Sequence, residues 1–188
     1  MDDSRVIAAE LGPGEQMLWA GRPFQGLALR ASDAIAIPFS LLWGGFAIFW
    51  ESSVFSQGAP LLFKLWGIPF VLVGLYLIVG RFFFDSWSRK KTYYGLTTKR
   101  VLIVSGIYSR EIKSLELGSL NDMSLSERSS GSGSIVFGPG QAAFGGWPGS
   151  FRRNGQVVAP SFDMIPKVRQ IYNHIREAKT AAGRDERP

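Results

Sequence analysis

Ser88 and Lys91 stand three residues apart, the spacing at which a lysine can take the proton of a serine nucleophile. No other element of such a hydrolase accompanies them. No cysteine occurs among the 188 residues, so none can act as nucleophile, disulfide partner or metal ligand. The one histidine, His174, has no second histidine or cysteine to join it at a metal, and reads as a surface side chain. Gly138-Pro139-Gly140-Gln141-Ala142-Ala143 has the GxGxxA spacing of a dinucleotide loop, but Phe144-Gly145-Gly146-Trp147-Pro148 follows where a helix is required. Glu111, Glu116, Asp122 and Glu127 alternate with basic or serine residues, as on a solvated strand face. These residues point away from an enzyme and imply no cofactor and no metal.

The residue types suited to recognition are cationic and aromatic. Arg89, Lys90, Lys91, Lys99 and Arg100 form the densest basic cluster, and juxtamembrane cations attract anionic headgroups by about 1 kcal/mol each. The competing reading is that they only fix membrane topology. Phe144, Trp147, Phe151, Arg152 and Arg153 form a second group, in a Gly/Pro-rich stretch. It reads either as a loop that dips into an interface or grips a partner, or as a local cluster folded on its own domain.

The element that must position these groups is Leu61–Gly80, twenty residues carrying one charge, Lys64. A helix of that length spans roughly 30 Å, the hydrocarbon core of a bilayer. Arg81, Phe82–Phe84, Trp87 and Arg89–Lys91 follow at once, an interfacial aromatic belt and then cations. Ser32-Asp33 caps a preceding apolar helix, Asp33–Trp50, which completes a helical hairpin. The connector Glu51–Pro60 has no lysine or arginine, so the positive-inside rule puts it outside and both termini in the cytoplasm. Asp33 and Glu51 stand at span ends and need no special role, and Lys64 can snorkel to outer headgroups. Pro38 and Pro69 kink the helices, while Gly44, Gly45, Gly67 and Gly74 allow close contact. With no buried acid chain, the hairpin reads as an anchor rather than a transport path.

Charge divides the chain as well. Residues 81–188 carry 17 basic against 9 acidic side chains, whereas residues 1–32 and 33–80 each sum to −1, so the whole +6 comes from the C-terminal part. Upstream of the hairpin, Ser4–Leu11 suits a short amphipathic helix stopped by Gly12-Pro13-Gly14, and Gln16–Ala20 a short strand. The first residues are acidic and lack the form of a signal peptide. Phe24–Arg30 reads equally as a helix on the membrane surface or a loop packed on the β domain.

Downstream, β-rich runs between turn residues predict strands over Thr92–Thr97, Arg100–Ser105, Ser134–Gly138 and Gln156–Ala159, and alternation predicts strands over Arg110–Leu117 and Met123–Glu127. Asp163 caps a helix through Lys179 with Ile165, Val168, Ile171, Tyr172 and Ile175 on one face. The expected fold is a membrane α-helical hairpin plus an α+β domain, a partly open antiparallel β-barrel capped by the C-terminal helix. Its parts are an N-terminal cytoplasmic segment (1–32), a two-helix hairpin (33–84), the β domain (86–180) and a disordered tail (181–188).

YYGLTTKRVLIVSG resembles the Tyr…Leu-Thr-x-x-Arg…Gly signature of bacterial pleckstrin-homology-like (PH-like) domains, on Tyr94, Leu96, Thr97, Arg100 and Gly106. The lead-in GEQMLWAGRP resembles the start of such membrane proteins, and the Gly-rich insert at 139–155 departs from the pattern. The resemblance implies a non-enzymatic, multi-pass protein of the bacterial cytoplasmic (inner) membrane, with a PH-like domain on the cytoplasmic side. On this reading it is an anchored module that recruits or scaffolds a protein partner. The alternative is a sensor of anionic lipid headgroups, and more distantly an accessory subunit of an enzyme or transporter. The bilayer, anionic lipid, an unknown protein and further copies of the chain are the partners considered. Nucleic acid is disfavoured.

Overall fold

The computed structural model describes residues 3–26, 29, 33–106, 109–138 and 159–185. The chain divides into two compact units, Gly26–Ser86, and Met1–Gln25 with Trp87–Pro188.

The first unit is a helical hairpin. α2 (Asp33–Ser56) is followed by α3 (Leu61–Leu75), a π-helical turn (Tyr76–Gly80) and α4 (Arg81–Lys90), which run on as one helix, Leu61–Lys90. Both helices are long and apolar enough to cross a membrane. Each is longer than expected: α2 takes in Glu51–Ser56, and the basic neck after Gly80 is itself helical. Ser40, Gly44, Ala47 and Glu51, spaced four, three and four residues, form the buried stripe of α2. They meet Gly67, Gly74 and Leu77. A Cβ on Gly74 would stand 2.8 Å from the Gly44 Cα, so the two glycines permit the close approach. Away from this stripe Ile35, Leu42, Phe49, Leu61, Leu62 and Trp66 are exposed.

Four charges of the hairpin have definite places. Asp33 pairs with Arg81 at 3.2 Å, and Lys64 lies over the Phe55 ring, 5.3 Å from its centroid. Glu51 is buried, its carboxylate in the notch left by Gly67. Asp33 and Glu51 thus do more than end a span.

The second unit holds two antiparallel sheets, ordered β1-β2-β3-β4 and β5-β6-β7. The first comprises β1 (Met17–Gly21), β2 (Tyr93–Thr97), β3 (Arg100–Ser105) and β4 (Glu111–Glu116). The second comprises β5 (Met123–Glu127), β6 (Gly133–Phe137) and β7 (Ser161–Ile165). Among the described residues the two sheets are not closed into a barrel, so the expected partly open barrel is here a pair of sheets. The core between them gathers Tyr94, Leu96, Val101, Ile103, Ile135, Phe137 and Phe162, and α5 (Val168–Asp185) adds Val168, Ile171, Ile175 and Ala178. Phe162 is its aromatic centre, 4.5 Å from the Tyr94 ring and edge-on to Phe137 at 5.1 Å.

The N-terminal segment is part of this unit. β1 pairs with β2, and α1 (Asp3–Ala8) packs Ile7 with Leu102 and Val104 on the outer face of the sheet. Gly95 makes that fit: a Cβ there would lie 2.6 Å from the Ile7 Cγ2. The Phe24 N–H donates to the Met164 carbonyl at 2.7 Å, which ties the backbone at Phe24 to β7 while its side chain is exposed. Residues 27, 28 and 30 lie outside the described residues.

Two expectations about the C-terminal part change. Asp163 does not cap a helix; it belongs to β7, whose five residues are all buried and so show no alternation. Pro166 follows, α5 starts at Val168, and it continues to Asp185, past the expected end at Lys179. The expected strand at Gln156–Ala159 lies, up to residue 158, outside the described residues, as do Ile107 and Tyr108.

Candidate functional site

The signature residues of the β2–β3 hairpin have structural tasks that can be traced atom by atom. The Thr97 hydroxyl accepts the N–H groups of Lys99 (3.2 Å) and Arg100 (2.9 Å), closing the turn. It also lies 2.6 Å from Glu15 Oε1. Arg100 grips Glu15 with two nearly parallel bonds, Nε to Oε1 at 2.8 Å and Nη2 to Oε2 at 2.9 Å. The same Nη2 donates to the Glu10 carbonyl at 2.9 Å, and the Gly12 N–H donates to Glu15 Oε2 at 2.7 Å. Glu15 is 2% exposed in its side chain, Arg100 30%. The Arg100 hydrogen bond is the main reason that the Glu15 pKa falls from its usual 4.5 to about 2, helped by Thr97 and Gly12 and opposed by burial. Glu15, in turn, raises the Arg100 guanidinium above its ordinary value.

Tyr94 accepts the Asp163 N–H at 3.0 Å, and Leu96 is fully buried. Gly106 has φ 140°, where a Cβ would meet the Ser109 carbonyl oxygen at 1.7 Å. The lead-in and the signature, which stand apart in the sequence, are therefore two halves of one latch. It clamps the N-terminal segment to the β2–β3 hairpin.

The basic cluster splits in two. Arg89 is 1% exposed, its Nη1 donating to the Phe24 carbonyl at 3.1 Å and lying 3.6 Å from the Met164 Sδ. Arg89 and Arg100 are thus engaged within the fold. Lys90, Lys91 and Lys99 are exposed. Trp147, Phe151, Arg152 and Arg153, with Phe144, lie outside the described residues. Ser88 offers its carbonyl to the Lys91 N–H at 3.0 Å, a helix end rather than a nucleophile. His174 is exposed on α5, and no group of metal-binding side chains occurs among the described residues.

One feature escaped reasoning from sequence: which strands stand at the ends of the first sheet, β1 at one and β4 at the other. Among the described residues, β4 pairs only with β3. All its residues but Leu115 are exposed, including Ile112 at 42%. The Leu117 N–H bonds the Lys99 carbonyl at 2.9 Å, one step beyond the Arg100–Glu116 pair. Because bonded pairs alternate along an antiparallel ladder, Lys113 and Leu115 turn their backbone groups toward β3. Ile112 and Ser114 turn theirs outward. Glu111 and Lys113 lie 3.4 Å apart, with side chains 62% and 47% exposed.

Residues 36–179 match the family model of the bacterial PH domain. The chain belongs to that family. The match begins in α2 and ends in α5, so it takes in most of the apolar helices and β2–β7 of this bacterial PH domain protein, with β1 outside it. No curated protein and no solved structure matches the chain. The family is one of binding modules.

Proposed function

We propose that this bacterial PH domain protein is a membrane-anchored module that recruits or scaffolds a protein partner along the edge of β4. The hairpin is the anchor. Its outward faces carry exposed Leu, Ile, Phe and Trp side chains, which a bilayer solvates and water does not. The turn between the helices lacks lysine and arginine, whereas Arg81, Arg89, Lys90 and Lys91 follow the second helix. That asymmetry favours an outside turn and cytoplasmic termini in the inner membrane of a bacterium.

The observation that carries the binding reading is the outward-facing backbone of Ile112 and Ser114. An added strand satisfies such groups, and its alternate side chains give specificity. A photo-reactive residue at Ser114 tests it in cells producing the full chain. Protein adducts are expected from position 114 and not from exposed Ser126 on β5. Equal adducts from both, or none from 114, would refute the edge as the binding site.

A second reading rests on exposed Lys90, Lys91 and Lys99, which remain available to anionic headgroups. On that reading, neutralising all three in the full chain weakens recruitment of anionic lipid around the protein in mixed-lipid nanodiscs. No change would leave these lysines as a topology signal.

A further inference from the structure

Taking the edge of β4 as a partner-binding site, as the reading above does, we infer that its occupant is β4 of a second copy of this chain, paired antiparallel about a two-fold axis through Ile112. The inference comes from register. A two-fold axis perpendicular to a sheet pairs residues of the same face, so it must pass through one residue of β4. Through Ile112 it sets Ile112 against Ile112, Glu111 against Lys113 of the other copy, and Arg110 against Ser114. Through Lys113 it sets Glu111 against Leu115. Through Ser114 it sets Lys113 against Leu115 and Ile112 against Glu116. Of these three registers, the one centred on Ile112 alone matches apolar with apolar and acid with base.

Hydrogen bonding is satisfied in this register, as it is in the other two, so the side chains make the choice. Ile112 and Ser114 point their N–H and C=O groups outward, so the central Ile112 pair exchanges both bonds, and each Arg110–Ser114 pair extends the ladder. Glu111 and Lys113 then fall in the non-hydrogen-bonded positions, where the Cα atoms are closer, about 4.5 Å, and side chains meet best. The Arg110 side chain is already held by Glu10 at 2.5 Å, which leaves its backbone for the ladder.

A lone lysine on an edge strand is a common guard against stray pairing. Lys113 can keep that task, since an incoming strand must bring an acid opposite it. Glu111 of a second copy does so twice, once on each side of the axis. The pairing buries little surface, but two anchored copies share one membrane, and that confinement raises their effective concentration.

The absence of cysteine makes a direct test available. Ile112→Cys in the full chain, reconstituted in vesicles and mildly oxidised, places two sulfurs on strands about 5.5 Å apart, within disulfide reach. Disulfide dimer is expected on the order of tenfold above that from Ser130→Cys, an exposed turn position. Adding Glu111→Lys should lower the yield roughly tenfold, and adding Lys113→Glu to that variant should restore it. These side chains are exposed, and unchanged melting of each variant would show that the fold is intact. Equal yields from Ile112→Cys and Ser130→Cys, or a yield indifferent to the charge reversal, would overturn the two-fold pairing. If position 114 still forms adducts with a different protein, the edge reading stands and self-pairing fails. If neither dimer nor adduct forms, both fail.

Discussion

Glu15→Gln removes one charge from the latch and keeps its shape. The glutamine oxygen can still accept from Arg100, but the paired charge is gone and the second oxygen becomes a donor facing the Gly12 N–H or the guanidinium. Lowering a carboxyl pKa from 4.5 to about 2 corresponds to at most about 3 kcal/mol. Arg100 is partly in water, and screening reduces the figure to about 1–2 kcal/mol. Folding lowers this pKa, so the stabilisation is complete above about pH 4.5 and is lost as the pH falls from there through 2. The assay is denaturant unfolding of the full chain in detergent between pH 2.5 and 7, followed by near-UV circular dichroism, to which Trp19, packed on the core, contributes. The variant should be about 1–2 kcal/mol less stable at pH 7, and its deficit should shrink toward acid. A difference under about 0.3 kcal/mol, or an unchanged pH profile, would refute the latch.

Arg89→Gln should cost about 2–3 kcal/mol by leaving the Phe24 carbonyl without its donor, whereas Lys90→Gln and Lys91→Gln should leave the melting temperature unchanged; thermal melts compare the three. Gly74→Ala puts a Cβ 2.8 Å from the Gly44 Cα and should cost about 1–3 kcal/mol, read as earlier loss of helix contact on titration with sodium dodecyl sulfate. Tyr94→Phe removes the acceptor of the Asp163 N–H and should lower the denaturant midpoint by the equivalent of about 1–2 kcal/mol, with the slope unchanged.

The strands with one wet face were legible in the sequence. Met123–Glu127 ends where alternation and turn residues say it should, whereas Arg100–Ser105, buried throughout Val101–Val104, was legible as a run rich in β-branched residues between turns. β7 was not, because a strand buried on both faces carries no period, and Asp163 before an amphipathic run imitates a helix cap. Pro166 is the residue that decides, ending the strand and delaying the helix to Val168.

The basic cluster was legible only as composition. What sets Arg100 apart from Lys99 is a carboxylate 85 residues away, brought close when β1 pairs with β2. Nothing in the local sequence states that pairing, although the Glu15 lead-in and the Arg100 signature each stood out. The free edge was hidden for the same reason: alternation finds β4, but only the strand order makes it terminal.

The central claim is an open β4 edge, and residue-resolved amide hydrogen exchange on the full chain in nanodiscs tests it most directly. With one copy per disc, Ile112 and Ser114 should exchange rapidly while Lys113 and Leu115, bonded to β3, stay protected. Protection of Ile112 and Ser114 should then appear as copies per disc increase. Slow exchange at Ile112 and Ser114 in single-copy discs would mean that the edge is already covered, and would contradict the account.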